Sequence, residues 1–312
     1  MRIATYTVDG HQGVGLVIGE AVVDLHGGAE AAGHDAASLP GDMLSIIQAG
    51  DDAWALAEAF DEQLDSSPLD GSGQGTWWWP TSDIKFDAPF LPTKNMWVVG
   101  ANYYGHMAAG FARIPRPAVV PPVPEFFCKG LPSIVGDQED IVYDKRATVT
   151  VDYECELAVV IGKKGKDIPA SEAEDYVFGY TVCNDVSARE LQLGHQQYFR
   201  GKSQDMFGPL GPLVATRRHI PNPYRLRIKQ RVNGELRQDT SIGEMLYKIN
   251  ELIAVLSQGM TIEPGDIIVT GTVEGTGFEQ PPQTWLQHGD KLAAEITDIG
   301  VVHNTIKMAG IQ

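Results

Sequence analysis

Two glutamates two residues apart, Glu154 and Glu156, stand in the run VTVDYECELAVVIG, and Asp185 stands at the polar end of a second apolar run, VFGYTVCND. Side chains on an extended strand alternate between faces, so Asp152, Glu154 and Glu156 share one side and Tyr153, Cys155 and Leu157 the other. Past Glu156 the residues are continuously apolar, which places the glutamates where a strand enters the core. Two carboxylates held side by side there repel each other unless a proton or a cation lies between them. A hard divalent cation satisfies them, and Mg²⁺ or Mn²⁺ takes carboxylate oxygens together with waters or substrate oxygens. Asp185 is the natural third ligand; the alternative is that it caps the helix begun by SARELQ.

These residues need a frame. The 312 residues suffice for a sizeable core, divided into one large domain and one small one. RIATYTV, VGLVIG and AVVDL near the start read as a small antiparallel sheet. Apolar residues at helical spacing from Met43 to Leu64 predict one or two helices, and residues 66–76 have the composition of a linker. Trp77, Trp78 and Trp79 form either a platform for a sugar or other ring or a packed wedge between domains. A second domain starts near Phe86, giving units of 1–85 and 86–312.

The second unit opens with NMWVVGANYYGH, a buried strand running into a Gly-Ala-Asn turn. The run from Pro115 to Pro124 reads as an extended loop, and Asn233-Gly234 between alternating segments predicts a hairpin. SIGEMLYKINELIAVLS predicts an amphipathic helix capped by Ser241, with Glu244 three residues later. The unit is strand-rich with few helices. It lacks βα alternation and a GxGxxG turn, which argues against a doubly wound nucleotide-binding fold.

The formal charge is −17, from 41 acidic against 24 basic residues. Such a surface repels nucleic acid and anionic lipid, so neither is an expected partner. A small anionic substrate is still admitted where local cations or a metal reverse the field. Cys128, Cys155 and Cys183 show no CxxC spacing, which points to a reducing compartment and away from zinc or iron–sulfur sites. No run approaches the roughly 20 apolar residues of a membrane span, and the first residues alternate like a strand rather than a signal peptide. A cytoplasmic protein without processing is expected.

Six segments resemble, in order and spacing, the fumarylacetoacetate hydrolase family, in its acylpyruvase and 2-hydroxyhepta-2,4-diene-1,7-dioate isomerase-like branch. They are GANYYGH (100–106), FFCKG (126–130), VDYECELAVVIGKKGKDI (151–168), GYTVCNDVSARELQ (179–192), FRGKSQDMFGPLGP (199–212) and IVTGTVEGTG (268–277). The resemblance covers residues 86–312, and residues 1–85 resemble the variable N-terminal domain of many members. It implies a mostly β fold with some α: a mixed β-sandwich roll for catalysis plus a small N-terminal α+β domain, usually as a homodimer. It implies Mg²⁺ or Mn²⁺ held by Glu154, Glu156 and Asp185. Lys202 is then a catalytic and substrate-binding cation, and Thr272 holds a carboxylate through its hydroxyl and N–H. Further substrate contacts are implied from Tyr103, Lys129, Arg189 and Gln192.

His106 matches the family's base, on a segment that closes as a lid and brings Tyr103 or Tyr104 over the substrate. Many relatives place a glutamate three residues after this histidine; here Ala109 stands there, leaving Glu125 or Glu139 to supply an acid. Gln204 stands where relatives carry a bulky apolar residue before Asp205. The first activity implied is metal-dependent hydrolysis of a C–C bond in a 2,4-diketo acid, releasing pyruvate. The substrate would be of acylpyruvate, fumarylpyruvate or diketo-deoxy sugar acid type. Oxaloacetate-type decarboxylation and keto-enol isomerisation are the alternatives, and a non-catalytic binding protein is a minor one. Ala109 counts against hydrolysis, because decarboxylation needs only enolate stabilisation and isomerisation a single proton shuttle.

Overall fold

A computed structural model describes residues 1–66, 69, 71, 73–113 and 119–310. Positions 67, 68, 70 and 72 of the expected linker, and 115–118 of the proline run, lie outside the described residues. The fold is a mixed β structure with peripheral helices, built around two sheets.

The larger sheet has twelve strands. Its path runs from Trp78–Pro80 through Ala21–Asp24, His11–Ile18 and Arg2–Val8 to Gly208–Thr216, then Val177–Asn184, Cys155–Ile161, Ile267–Thr272, Met96–Gly100 and Glu125–Lys129. The expected N-terminal antiparallel sheet is therefore present, joined to the larger one where Arg2 pairs with Ala215 and Ile3 with Val214. The boundary read near Phe86 falls on Lys85–Phe86, which pairs with Arg2–Val8. A five-stranded sheet orders Glu235–Ser241, Arg227–Val232, Lys291–Ile296, Gly300–Met308 and Asp140–Tyr143. Its Arg227–Ser241 hairpin turns at Asn233 and Gly234, both at positive φ (52° and 82°), as an Asn-Gly two-residue turn requires.

The strand Cys155–Ile161 is buried along its whole length, and its two faces feed different cores. Cys155, Leu157, Val159 and Ile161 pack with Ile228, Ala294, Ile296 and Val302 of the smaller sheet. Ala158 and Val160 share a second core with Met43, Ile46, Ile47, Ala57 and Phe60 from the two N-terminal helices, Met43–Ala49 and Asp51–Ser66. Each such aliphatic side chain stabilises the fold by about 1.5–3 kcal/mol relative to exposure, so the strand is held rigidly from both sides.

One sequence expectation needs correction. Ser241 caps only the short turn Ile242–Glu244, and the amphipathic helix begins at Ile249, with Lys248 N–H donating to Glu251. The residues between are drawn away by Asn102, whose carbonyl and side-chain oxygens accept the N–H groups of Leu246 and Tyr247, each at 2.8 Å. Of the two readings of the tryptophans, packing is the one observed. Trp78 and Trp79 pair with Val23 and Val22, and Trp79 lies 5.6 Å from the Tyr6 ring. No helix among the described residues is long and apolar enough to cross a membrane.

Candidate active site

Sheet register brings the three carboxylates together. Cys155 pairs with Asn184 in antiparallel register, so Glu154 faces Asp185. Asp185 N–H donates to Glu154 O at 2.7 Å, and Glu154 N–H donates to Asn184 Oδ1 at 3.0 Å. On the other flank Glu156 pairs with Thr272, and Gly271 N–H donates to Glu156 Oε2 at 2.5 Å. One oxygen from each of Glu154, Glu156 and Asp185 lies within 4.8 Å of the others, all buried. The cap position of helix Arg189–Gly194 is Ala188, not Asp185. The even alternation expected from Asp152 onward is broken, because residues 153 and 154 lie outside the strands and Asp152 turns to other partners.

Cations surround the cluster. Lys202 Nζ lies 2.5 Å from Glu154 Oε2 and 2.6 Å from Asp185 Oδ2. Arg189 reaches Glu154 Oε1 at 2.6 Å and Asp152 Oδ2 at 2.7 Å, and also donates to Gln192 Oε1. Lys129 sits behind Asp185, 2.8 Å from its Oδ1, donating to the carbonyls of Val186 and Lys202. Burial alone would raise the Glu154 carboxyl, but Lys202 and Arg189 outweigh it and hold it well below the ordinary range. Glu156 is pushed far above its ordinary value by burial and by the charges of Asp185 and Glu154. Among the described residues no lysine or arginine pairs with it.

Buried carboxylates Asp152, Glu154, Glu156 and Asp185 thus outnumber the buried cations Lys129, Arg189 and Lys202. Buried charge is costly when uncompensated. Three hard oxygen donors with an unpaired carboxylate among them could coordinate a divalent cation, and the residues fit one.

A cavity of about 360 Å³ opens beside the cluster, lined by Glu154, Glu156, Arg189, Gln192, Lys202 and Thr272 together with His106. Tyr103 and Lys129 are buried outside this lining, and Tyr104 is exposed. Tyr198, edge-on to Phe127, lines the wall instead. Gln204 donates to Arg200 O and does not reach the cavity. Thr272 donates its hydroxyl hydrogen to Cys155 O at 2.9 Å and accepts from Gln238 at 3.0 Å, so that hydrogen is already committed.

His106 lies on helix Tyr104–Phe111, whose start is pinned where Asn102 Nδ2 donates to Thr270 O at 2.8 Å. Its Nδ1 is 2.5 Å from Glu279 Oε1. Glu279 sits on the turn Gly277–Glu279, and its Oε2 accepts the N–H groups of Gly275 (2.5 Å) and Thr276 (3.1 Å). The acid absent at Ala109 therefore comes from Glu279, which sequence analysis missed. Glu125 is an exposed residue of the cavity wall and Glu139 pairs with Lys85, so neither fills that role. The available signal was the Thr276–Glu279 capping box, which marks a turn but not its distant partner.

The profile of the fumarylacetoacetate (FAA) hydrolase C-terminal family matches residues 95–307. The chain belongs to the fumarylacetoacetate hydrolase family. It is similar to oxaloacetate tautomerase YisK of Bacillus subtilis, 39% identical over 98% of this chain and 100% of that one. It is also similar to the mitochondrial oxaloacetate tautomerase Fahd2a of Rattus norvegicus, 37% identical over 97% and 89%. Among solved structures, a fumarylacetoacetate hydrolase from Exiguobacterium antarcticum superposes with a TM-score of 0.80 at 33% identity, covering 99% of both chains. A maleylpyruvate hydrolase from Sphingobium sp. SYK-6, in complex with manganese(II) and pyruvate, gives 0.73 at 26% identity over 99% of both. Family membership and the carboxylate cluster make this protein an enzyme of the family's metal-associated isomerase and hydrolase type.

Proposed function

We propose that the protein is a Mg²⁺- or Mn²⁺-dependent tautomerase that interconverts the keto and enol forms of a small 2-oxo acid of the oxaloacetate kind. The reading is carried by one observation: His106, paired with Glu279, lines the same cavity of about 360 Å³ as Glu154 and Glu156. Similarity to oxaloacetate tautomerases along nearly the whole chain supports it and moves isomerisation ahead of the hydrolysis expected first.

Glu154, Glu156 and Asp185 would hold the ion, which supplies Lewis-acid charge favouring an enolate over a ketone. The rest falls to side chains. Glu279 accepts the Nδ1 hydrogen of His106 and leaves Nε2 with its lone pair. Nε2 takes the proton from C3; the C–H electron pair becomes the C2–C3 double bond, and the carbonyl pair moves to the oxygen. The imidazolium, stabilised by Glu279, then delivers the proton to that oxygen. Lys202 and Arg189 offset Glu154, Asp185 and Asp152, so that with the ion's charge the site would admit an anionic substrate. No water is consumed, so nothing beyond one shuttle is required.

Hydrolysis with release of pyruvate is the second reading, favoured by the likeness to the maleylpyruvate hydrolase. The deciding experiment follows three signals with Mg²⁺ and with Mn²⁺: decay of the oxaloacetate enol absorbance, pyruvate formed from oxaloacetate, and pyruvate formed from an acylpyruvate. Accelerated enol decay without pyruvate is the expected result. Pyruvate release from the acylpyruvate with unaccelerated enol decay would overturn the tautomerase reading.

A further inference from the structure

Asp152 is fully buried and lies two residues before the first ligand carboxylate. Its Oδ1 accepts the N–H groups of Tyr153 (2.9 Å) and Gly277 (2.8 Å). Its Oδ2 accepts Phe278 N–H at 3.0 Å and Arg189 Nε at 2.8 Å. Arg189 is the residue whose other arm holds Glu154, at 2.6 Å. Gly277 and Phe278 begin the turn that ends in Glu279, the partner of His106. One side chain therefore touches both halves of the site, the carboxylate cluster through Arg189 and the histidine pair through the turn. The fit is close: a Cβ on Gly277 would lie 2.8 Å from Asp152 Oδ1 and 1.9 Å from Thr284 O. Phe278 adds a second tie, its ring 5.5 Å beneath the Arg189 guanidinium.

We infer that Asp152 is a positioning residue for the proton transfer, setting where Glu279, and through it His106, stands relative to the ligand carboxylates. The inference rests on His106 and Glu279 acting as the base pair. All the donors around Asp152 are N–H groups, two on each oxygen, so an asparagine there must turn its NH₂ against two of them whichever way it flips. The charge-assisted bond to Arg189 is the stronger, so the amide oxygen stays with Arg189 and the NH₂ confronts the N–H groups of Gly277 and of the adjoining Tyr153. The turn moves while the carboxylate cluster stays. A displacement of about 1 Å at a catalytic group lowers rate by about 10²-fold.

The test compares wild type, Asp152→Asn, Glu279→Gln and the double variant in the Mg²⁺ form. It reads kcat and KM for enol decay, Mg²⁺ affinity, and the low-field proton resonance of His106 Nδ1–H, assigned by its loss in Glu279→Gln. Asp152→Asn is expected to lower kcat by about 10- to 100-fold, with KM and Mg²⁺ affinity within about threefold. It should shift or remove the resonance, and cost less than about threefold in the Glu279→Gln background, because coupled residues are not additive. Should Asp152→Asn fail to fold, Gly277→Ala displaces the same turn from the loop side and must give the same loss of kcat and of resonance. Loss of kcat in Glu279→Gln, with kcat and resonance unchanged in Asp152→Asn or additive effects in the double variant, overturns this inference alone. Retention of kcat in Glu279→Gln overturns the base assignment as well.

Discussion

Replacing Glu279 by glutamine changes one atom and should reverse the imidazole. Two backbone N–H groups, from Gly275 and Thr276, point at Glu279 Oε2. A glutamine must keep its carbonyl oxygen there, because turning the NH₂ to them would set donors against donors and leave them unpaired at about 1–3 kcal/mol. The NH₂ then faces His106 Nδ1, where the carboxylate oxygen now lies at 2.5 Å. Nδ1 must become the acceptor, the ring hydrogen moves to Nε2, and the nitrogen available to the cavity loses its lone pair. General-base catalysis of this kind is worth about 10²- to 10⁴-fold, or about 2.7–5.4 kcal/mol in the barrier at 1.36 kcal/mol per tenfold. Stopped-flow decay of oxaloacetate enol should show kcat reduced by that factor, with Mn²⁺ affinity and KM within about threefold. Glu279→Ala leaves the ring free to adopt either tautomer and should be no more damaging to kcat than glutamine, though less stable. A glutamine variant with kcat within about threefold of wild type would refute the reasoning.

Lys202→Met should destabilise the metal-free protein by about 3–5 kcal/mol, because Glu154 and Asp185 lose a buried partner. Mn²⁺ should then raise its melting temperature by more than it raises that of wild type, and equal shifts in differential scanning fluorimetry would contradict this. Gly105→Ala would bring a Cβ within 2.3 Å of Glu274 Oε2, whose other oxygen is tied to Thr240. The carboxylate end of Glu274 must swing aside and release Thr240, so the lost hydrogen bond should lower stability by about 0.5–1.5 kcal/mol in a melting curve while kcat and the Mn²⁺ affinity read by isothermal titration stay within about threefold. His303 is held above its ordinary value by its hydrogen bond to Asp137, 3.3 Å away. That stabilisation is complete below the ordinary value of about 6.5 and is lost as pH rises through the higher folded value. The melting-temperature gap between wild type and His303→Gln should therefore close as pH rises from 6 to 8; a constant gap would remove His303 as its source.

What could be read in the sequence was what local periodicity and turn chemistry determine. The apolar run after Glu156, the Asn233-Gly234 hairpin and Asp185 at a strand end all follow from neighbours in the chain. The same local reasoning failed where a distant partner decides. The helix predicted from Ser241 starts instead at Ile249 because Asn102, more than 140 residues earlier, takes the intervening N–H groups. Glu279 lies 173 residues from His106, and nothing near either residue announces the other. The resemblance implies Lys129 of FFCKG as a substrate contact, yet it is fully buried behind Asp185, because its surroundings are set by the chain turns around Val186 and Lys202.

The ligand strand Cys155–Ile161 has the N-terminal helices against one face and the smaller sheet against the other. The segment before residue 86 thus serves as the back plate of the reaction centre. Its tolerance of change is bounded by mechanics as well as by its own folding. A looser fit in this shared core would give Ala158 and Val160 room to move, and that freedom would arrive at Glu156 two residues up the same strand. Divergence in the first 85 residues of such a protein would then register as a change in how stiffly a cation is gripped, with every residue around the cavity intact.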